Sequence, residues 1–314
     1  MQLQPFKLNP VYRHYVWGGH RLRPGVERTA EAWIVHEDNT IAGGPLEGKT
    51  LAQVSEKYPT QLLGQRVVQR TGNRFPLLIK LLDCADWLSV QVHPDNEQAL
   101  RLEGPGKFGK TEAWYIIQAD PGAELICGLQ SGISRRQVRE AIQSGGILEL
   151  VQRLPVHAGD AIFIPPGTVH ALGPGLLLYE IQQTSDITYR VYDWDRPASA
   201  GRELHIRQSL EVVDPQATGS LRSSSELSGS SSQTLISCEY FLLEKISGKD
   251  GTVTRDTSSL SFHTVTLLEG GAVVQSEGWR VPLERFETLI LPAECGQYSL
   301  RSDIPFIALR GSVL

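Results

Sequence analysis

Two imidazoles, one carboxylate and one amide are spaced along this chain so that β-strands would gather them: Gln91, His93, Glu112 and His170. Residues 159–170, GDAIFIPPGTVH, match the spacing Gly-x5-Pro-x-Gly-x2-His through Gly159, Pro165, Gly167 and His170. They read as a strand from Ala161 to Ile164, a Pro-Pro-Gly turn, and a second strand that carries His170 inward. Residues 87–94, WLSVQVHP, place Ser89, Gln91 and His93 on one face of a strand and Leu88, Val90 and Val92 on the other. In GKTEAWYIIQ, residues 109–118, Glu112, Trp114 and Ile116 share a face, and Ala113, Tyr115 and Ile117 share the opposite one. A carboxylate in so apolar a strand is costly to bury alone and calls for a partner or a metal. The four donors suit Zn2+ or another divalent first-row ion with one position open to water or substrate. No cysteine belongs to the set, which argues against a closed structural zinc site. Taken singly, each donor has an ordinary alternative: a core histidine, a Glu112–arginine pair, or an amide with one hydrogen-bond partner on a barrel wall.

These donors need rigid neighbours. Residues 1–48 mix short strands with Gly/Pro turns such as WGGHRLRPG and AGGPLEG. The best helix candidates are 50–63 (TLAQVSEKYPTQLL) and 134–153 (SRRQVREAIQSGGILELVQR). In the second, Ser134 is an N-cap, Val138, Ile142 and Ile147 supply an apolar face, and Gly145-Gly146 breaks or bends it. A short helix over Asp95–Glu103, capped by Asp95 or Asn96, is expected after His93-Pro94. The Ser-rich run 219–232 (GSLRSSSELSGSSS) has few apolar residues and reads as a linker or loop. Residues 235–314 alternate strands and turns and look like a degenerate copy of the first barrel. Aligning Pro165 on Pro292 puts Gln297 where His170 stands, and aligning Gly122 on Gly271 puts Ser261 where Glu112 stands. The copy keeps the rhythm and loses the ligands; generic β periodicity is the alternative. The expected division is a catalytic metal-binding domain over 1–215, a linker over 216–234 and a degenerate C-terminal domain over 235–314.

The GDAIFIPPGTVH segment resembles the second signature of the cupin barrels, so the fold expected is mainly β: a cupin-type jelly-roll barrel with a few helices. VQVHPDN (90–96), GKTEAWY (109–115), PPGTVHAL (165–172) and YEIQQTSDITYRVYDWDR (179–196) are similar to the type I phosphomannose isomerases, in their short bacterial form. VWGGHRL (16–22) and FPLLIKLLDCADWLSVQVHPD (75–95) match as well, and the resemblance covers roughly residues 5–215. It implies a zinc-dependent isomerase, with one Zn2+ per chain, interconverting mannose 6-phosphate and fructose 6-phosphate. It also implies that His93, Glu112 and His170 are zinc ligands, with Gln91 a fourth ligand as in longer members. By the same resemblance Arg190, in DITYRVYD, is the active-site arginine, Lys110 lies near the substrate, and Ser89 and Lys80 bind the phosphate. One departure from the family's pattern is His36 in AEAWIVHE (30–37), where a small polar residue is expected; the roles of Glu31 and His36 stay open.

Aldose–ketose conversion moves a proton between C1 and C2 through an enediolate. A divalent ion stabilises the oxyanion charge as a Lewis acid, and a fixed guanidinium such as Arg190 adds a second clamp. Proton transfer needs an acid/base group, for which Lys110 and a metal-bound water are both candidates. Asp186 and Glu180 could orient Arg190 or another cation, or transfer a proton directly. Lys80 and Ser89 would supply cationic and hydroxyl donors to the phosphate; a snorkelling Lys80 is the alternative. Two other readings of the same barrel are a metal-dependent oxygenase and a non-catalytic sugar-binding cupin.

Composition decides less. With 30 Lys+Arg against 35 Asp+Glu, the formal charge of −5 over 314 residues points to neither nucleic acid nor an anionic membrane. An anionic substrate must be met by local positive charge. No stretch is long enough for a transmembrane helix, and MQLQPFKLNPVYRHYVW lacks the pattern of a signal peptide. Cys84, Cys127, Cys238 and Cys295 are far apart, so free thiols and a bacterial cytosolic location are expected. Oligomeric state is not indicated.

Overall fold

The computed structural model describes residues 2–197, 202–223, 231–248 and 251–314. Backbone contacts group the chain into two compact units. One comprises Met1–Val11, Trp33–Ile79 and Ser224–Leu314; the other comprises Tyr12–Ala32 and Lys80–Ser223. This grouping runs across the linear division at 215 and 235, because residues near the N-terminus build into the unit that holds the C-terminus.

The fold is mainly β and cupin-like. All the site candidates except His36 lie in the second unit. Two sheets explain their placement. A seven-stranded sheet runs in the order Ser220–Arg222, Ala161–Ile164, Glu112–Ala119, Leu176–Gln183, Leu77–Cys84, Glu31–Val35, Val11–Arg13. A five-stranded sheet runs Tyr189–Tyr192, Val90–Val92, His170–Leu172, Glu124–Leu129, Val151–Pro155. Leu82, Trp114, Ile116, Ile162 and Leu178 from the first sheet pack with Leu125, Cys127 and Leu172 from the second. The core therefore lies between the sheets. On the outer face of the five-stranded sheet, Val90, Val92, Ile126, Ala171 and Val191 pack under Val138 and Ile142 of one helix and Val212 of another.

Strand alternation then does the rest. If Val90 and Val92 face out, Gln91 faces in, with His93 continuing the same side. If Ala171 faces out, His170 faces in. If Tyr189 and Val191 face out, Arg190 faces in. Register completes the row: Gln91 stands opposite His170 on one side and opposite Arg190 on the other.

The helices follow their caps. Thr50 closes a capping box on Leu51–Lys57, and a separate helix, Pro59–Leu63, starts at its proline, so 50–63 is two helices rather than one. Ser134 caps Arg135–Ser144, which stops at left-handed Gly145. The rest of the expected 134–153 helix is a 3-10 turn, Ile147–Glu149, and a strand, Val151–Pro155. Asp95 caps Asn96–Glu103.

In the other unit, a seven-stranded sheet holds Phe6–Leu8, Ile41–Ala42 and five strands from the C-terminal part. A four-stranded sheet holds Gly251–Asp256, Gln297–Ser302, Ala272–Ser276 and Trp279–Leu283. Val265, Leu267, Leu289 and Leu291 pack with Val274, Tyr298 and Leu300. Within the run 219–232, Ser220–Arg222 is a strand paired with Ala161–Ile164, and Ser231 begins a strand paired with Leu242–Gly248. Residues 224–230 of the expected linker lie outside the described residues. The four cysteines are unpaired thiols, and no helix among the described residues is long and apolar enough to cross a membrane.

Candidate metal centre

His93, Glu112 and His170, all buried, bring ligand atoms within 4.8 Å of one another. Among the described residues this is the one cluster of three or more His, Cys, Asp or Glu side chains suited to an ion. Each imidazole is fixed through its Nδ1–H. His93 donates to the carbonyl of Ile187 at 2.9 Å, and His170 donates to that of Thr168 at 2.9 Å. This leaves the lone pair on Nε2 in both rings, the arrangement a metal requires. Burial first, and then the Lys110 ammonium, hold the His93 pKa well below its ordinary value, so the ring is neutral. The two turns that carry the rings are tied together, because the Gly167 N–H donates to the His93 carbonyl at 2.9 Å.

Glu112 comes from the opposite sheet and is 0% exposed. Its Oε1 lies 3.2 Å from His170 Nε2, and its Oε2 lies 3.6 Å from His93 Nε2 and 2.7 Å from Lys110 Nζ. Despite these short approaches, neither oxygen accepts a well-angled hydrogen bond among the described residues. Burial alone would raise its pKa; the Lys110 ammonium beside it reverses that and holds it well below the usual carboxylate range. A buried carboxylate whose lone pairs converge with two Nε2 lone pairs fits a divalent ion.

Gln91 Nε2 stands 3.2 Å from His170 Nε2, at the edge of the same cluster. Lys110 Nζ also lies 2.9 Å from His93 Nε2. Its loop is set by Gly109, whose N–H donates to Asn96 Oδ1, and by its own N–H, which donates to the carbonyl of Pro94. A Cβ at Gly109 would stand 2.5 Å from the Asp95 carbonyl carbon, so only glycine permits this approach.

Arg190 meets Ser89 and, through it, a group not expected from the sequence: Arg202, Asp193 and Arg196. Ser89 Oγ accepts from Arg190 Nε at 3.2 Å and from Arg202 Nη2 at 3.1 Å, and donates to Gln91 Oε1 at 3.4 Å. Arg190 Nη1 donates to the Glu203 carbonyl at 2.7 Å. Asp193 Oδ2 is 3.3 Å from Arg202 Nε, and its Oδ1 accepts from Arg196 Nη1 at 3.0 Å. Burial lowers the pKa of both Arg190 and Arg202 while Asp193 opposes it, and both stay charged. The alternation of Asp193, Arg196 and Arg202 in DWDRPASAGRELH was the one available signal, and loop residues carry no periodicity to strengthen it.

Lys80 is buried, 3.0 Å from Glu180 Oε1 and 3.9 Å from Glu31 Oε2. Trp114 Nε1 donates to Glu180 Oε2 at 2.9 Å. Glu180 thus orients a cation, Lys80 rather than Arg190, and Glu31 belongs to the same buried group. Asp186 is exposed and apart from these contacts. His36 packs against the Trp33 ring and lies beside Asp38 in the other unit. In that unit, Ser261 Oγ donates to the Phe262 carbonyl and accepts from the Val313 N–H, while Gln297 is exposed.

A family model, phosphomannose isomerase type I, catalytic domain, matches residues 5–112. The mannose-6-phosphate isomerase of Streptococcus mutans is 36% identical over 321 residues, covering 97% of this chain and 98% of that protein. The probable mannose-6-phosphate isomerase GmuF of Bacillus subtilis is 35% identical over 322 residues, covering 96% of this chain and 98% of its own. A crystal structure of the mannose 6-phosphate isomerase from Bacillus subtilis superposes with a TM-score of 0.88 at 34% identity, covering 99% of this chain and 100% of that one.

Proposed function

The chain belongs to the type I phosphomannose isomerases, and from that premise we propose that it interconverts mannose 6-phosphate and fructose 6-phosphate with the aid of one zinc ion. The observation that carries this reading is the buried His93–Glu112–His170 cluster, with both Nδ1–H groups turned away to backbone carbonyls. Gln91 would complete the set, since rotation of its amide exchanges nitrogen for oxygen in front of His170. Three nitrogen or oxygen donors, a fourth amide and no sulfur suit zinc with a position left for substrate. When bound, the ion would supply Lewis acidity toward the sugar oxygens at C1 and C2.

The remaining roles fall to the chain's own groups. Arg190 carries a fixed positive charge on the Ser89–Gln91 side of the cluster and would hold the negative charge that develops on the enediolate. Lys110 is the proton-bearing group beside Glu112 and His93, which supports its assignment to proton transfer between C1 and C2. Lys80, neutralised by Glu180 and Glu31, would order the pocket wall and hydrogen-bond to substrate from there. A cytosolic location suits four free thiols.

The test is exchange at C2 of mannose 6-phosphate in deuterated water, before and after chelation. Metal-dependent deuterium incorporation with fructose 6-phosphate appearing is expected. No exchange with zinc stoichiometrically bound would overturn the substrate assignment.

A further inference from the structure

Arg202 is held at two of its three guanidinium nitrogens. Its Nε faces Asp193 and its Nη2 donates to Ser89, yet its Nη1 is fully buried with no acceptor among the described residues. A buried guanidinium N–H without an acceptor is expensive to leave that way. Arg190 shares the Ser89 hydroxyl, so two guanidinium groups converge at one point. Two cations beside one neutral hydroxyl repel each other unless an anion joins them. Asp193 offsets part of the charge but is shared with Arg196, which Asp86 also answers, so two carboxylates stand against three guanidinium groups. The positive charge therefore exceeds the carboxylate at hand.

The nearby lysine offers no such surplus, since Lys80 is answered by two carboxylates, Glu180 and Glu31. Ser89 is 0% exposed, and its hydroxyl is committed to two arginines and Gln91. Neither of the residues first expected at the phosphate combines an unanswered charge with free donors.

We propose that Arg202, rather than Lys80 or Ser89, grips the phosphate of the sugar phosphate, and that Asp193 is the positioning residue that aims it. The aim is built into the backbone. Trp194 and Asp195 both adopt positive φ, 56° and 52°, a conformation uncommon for residues with side chains. The turn they make brings Arg196 back onto Asp193, and Arg196 also donates to Asp86 and to the Trp87 carbonyl. Asp193 is thereby clamped from one side, and its other oxygen, which accepts no hydrogen bond among the described residues, faces Arg202 Nε at 3.3 Å as an ion pair. The Trp194 ring lies tilted against the Trp87 ring, centroids 4.8 Å apart, and its Nε1–H donates to the Leu88 carbonyl, which fixes the turn to the strand segment that carries Ser89.

This inference rests on the isomerase reading for the identity of the ligand, and the experiment separates the two. Inorganic phosphate is the probe, titrated calorimetrically into the zinc-loaded full chain and used as a competitive inhibitor. Arg202→Gln is expected to weaken phosphate binding and raise KM for mannose 6-phosphate by about 10- to 100-fold, with kcat much less affected. Asp193→Asn should do the same to a smaller extent. The double variant should be no worse than Arg202→Gln alone, because Asp193 acts through Arg202. Lower kcat with unchanged KM and unchanged phosphate affinity in Arg202→Gln would overturn the proposal. If that variant does not fold, phosphate should protect residue 202 of the native chain from phenylglyoxal; equal modification with and without phosphate would overturn it equally. Phosphate binding through Arg202 without any isomerisation would leave the anion site standing and remove the isomerase reading.

Discussion

His93 and His170 illustrate how little of a metal-ligand role lies in the side chain itself. Each becomes a ligand candidate because a backbone carbonyl takes its Nδ1–H and leaves Nε2 facing Glu112. His170→Ala should therefore abolish stoichiometric zinc and activity while the circular dichroism spectrum stays native; an active metal-free variant would remove the site. Arg190 touches none of the three clustered residues in this way, so Arg190→Ala should lower kcat by about 100- to 1,000-fold with zinc content unchanged. Parallel loss of zinc and activity would make Arg190 structural.

At the scale of elements, the Pro-Pro-Gly turn and a buried histidine in the other unit make opposite demands. Gly167 has φ 80°, and a Cβ there would meet Asp214 Cβ at 3.2 Å and the Val212 carbonyl at 3.3 Å. Gly167→Ala should cost about 1 kcal/mol or more of stability and loosen zinc binding, since this turn sets both His170 and the Gly167–His93 hydrogen bond. Unchanged zinc affinity would show that the turn does not set the ligand. His263 is buried with Arg310 Nη1 2.6 Å from its Nε2 and Tyr298 Oη 2.8 Å from its Nδ1. Burial, then the Arg310 charge, pull its pKa down to about 2. A depressed folded-state pKa means the unfolded chain binds the extra proton. Stability from this group is complete above the unfolded value near ~6.5 and is lost as pH falls toward about 2. Its slope approaches about 1.4 kcal/mol per pH unit. Denaturation followed between pH 6 and 4 should show a shallower acid loss in His263→Gln; an identical slope would assign the acid sensitivity elsewhere.

For the whole molecule, the important fact is that neither unit is a continuous piece of chain. Phe6–Leu8 pairs with Thr288–Leu291, and Ala161–Ile164 pairs with Ser220–Arg222. Truncation after residue 215 removes a partner from both strands. The shortened chain should lack a cooperative thermal transition, and a native-like transition with bound zinc would show that the linear division describes independent folding better than the contacts do.

The motif spacing and the period-2 patterning of WLSVQVHP and GKTEAWYIIQ were enough to read the strands, the inward face and the ligand candidates. Those are local properties, carried by residues a few positions apart. The helix caps at Ser134 and Asp95 were legible for the same reason, while the strand after Gly145-Gly146 was not, since its apolar residues fit either period. Lys80 shows the limit: the family resemblance implied a phosphate ligand, but Glu180 and Glu31, distant in the chain, decide whether its charge is available. Arg202 shows the converse, an unremarked loop arginine held by Asp193 and Ser89 at two nitrogens, whose Nη1 is a buried donor without an acceptor among the described residues. Charge availability depends on burial and on partners far along the chain, and only the folded molecule brings those together.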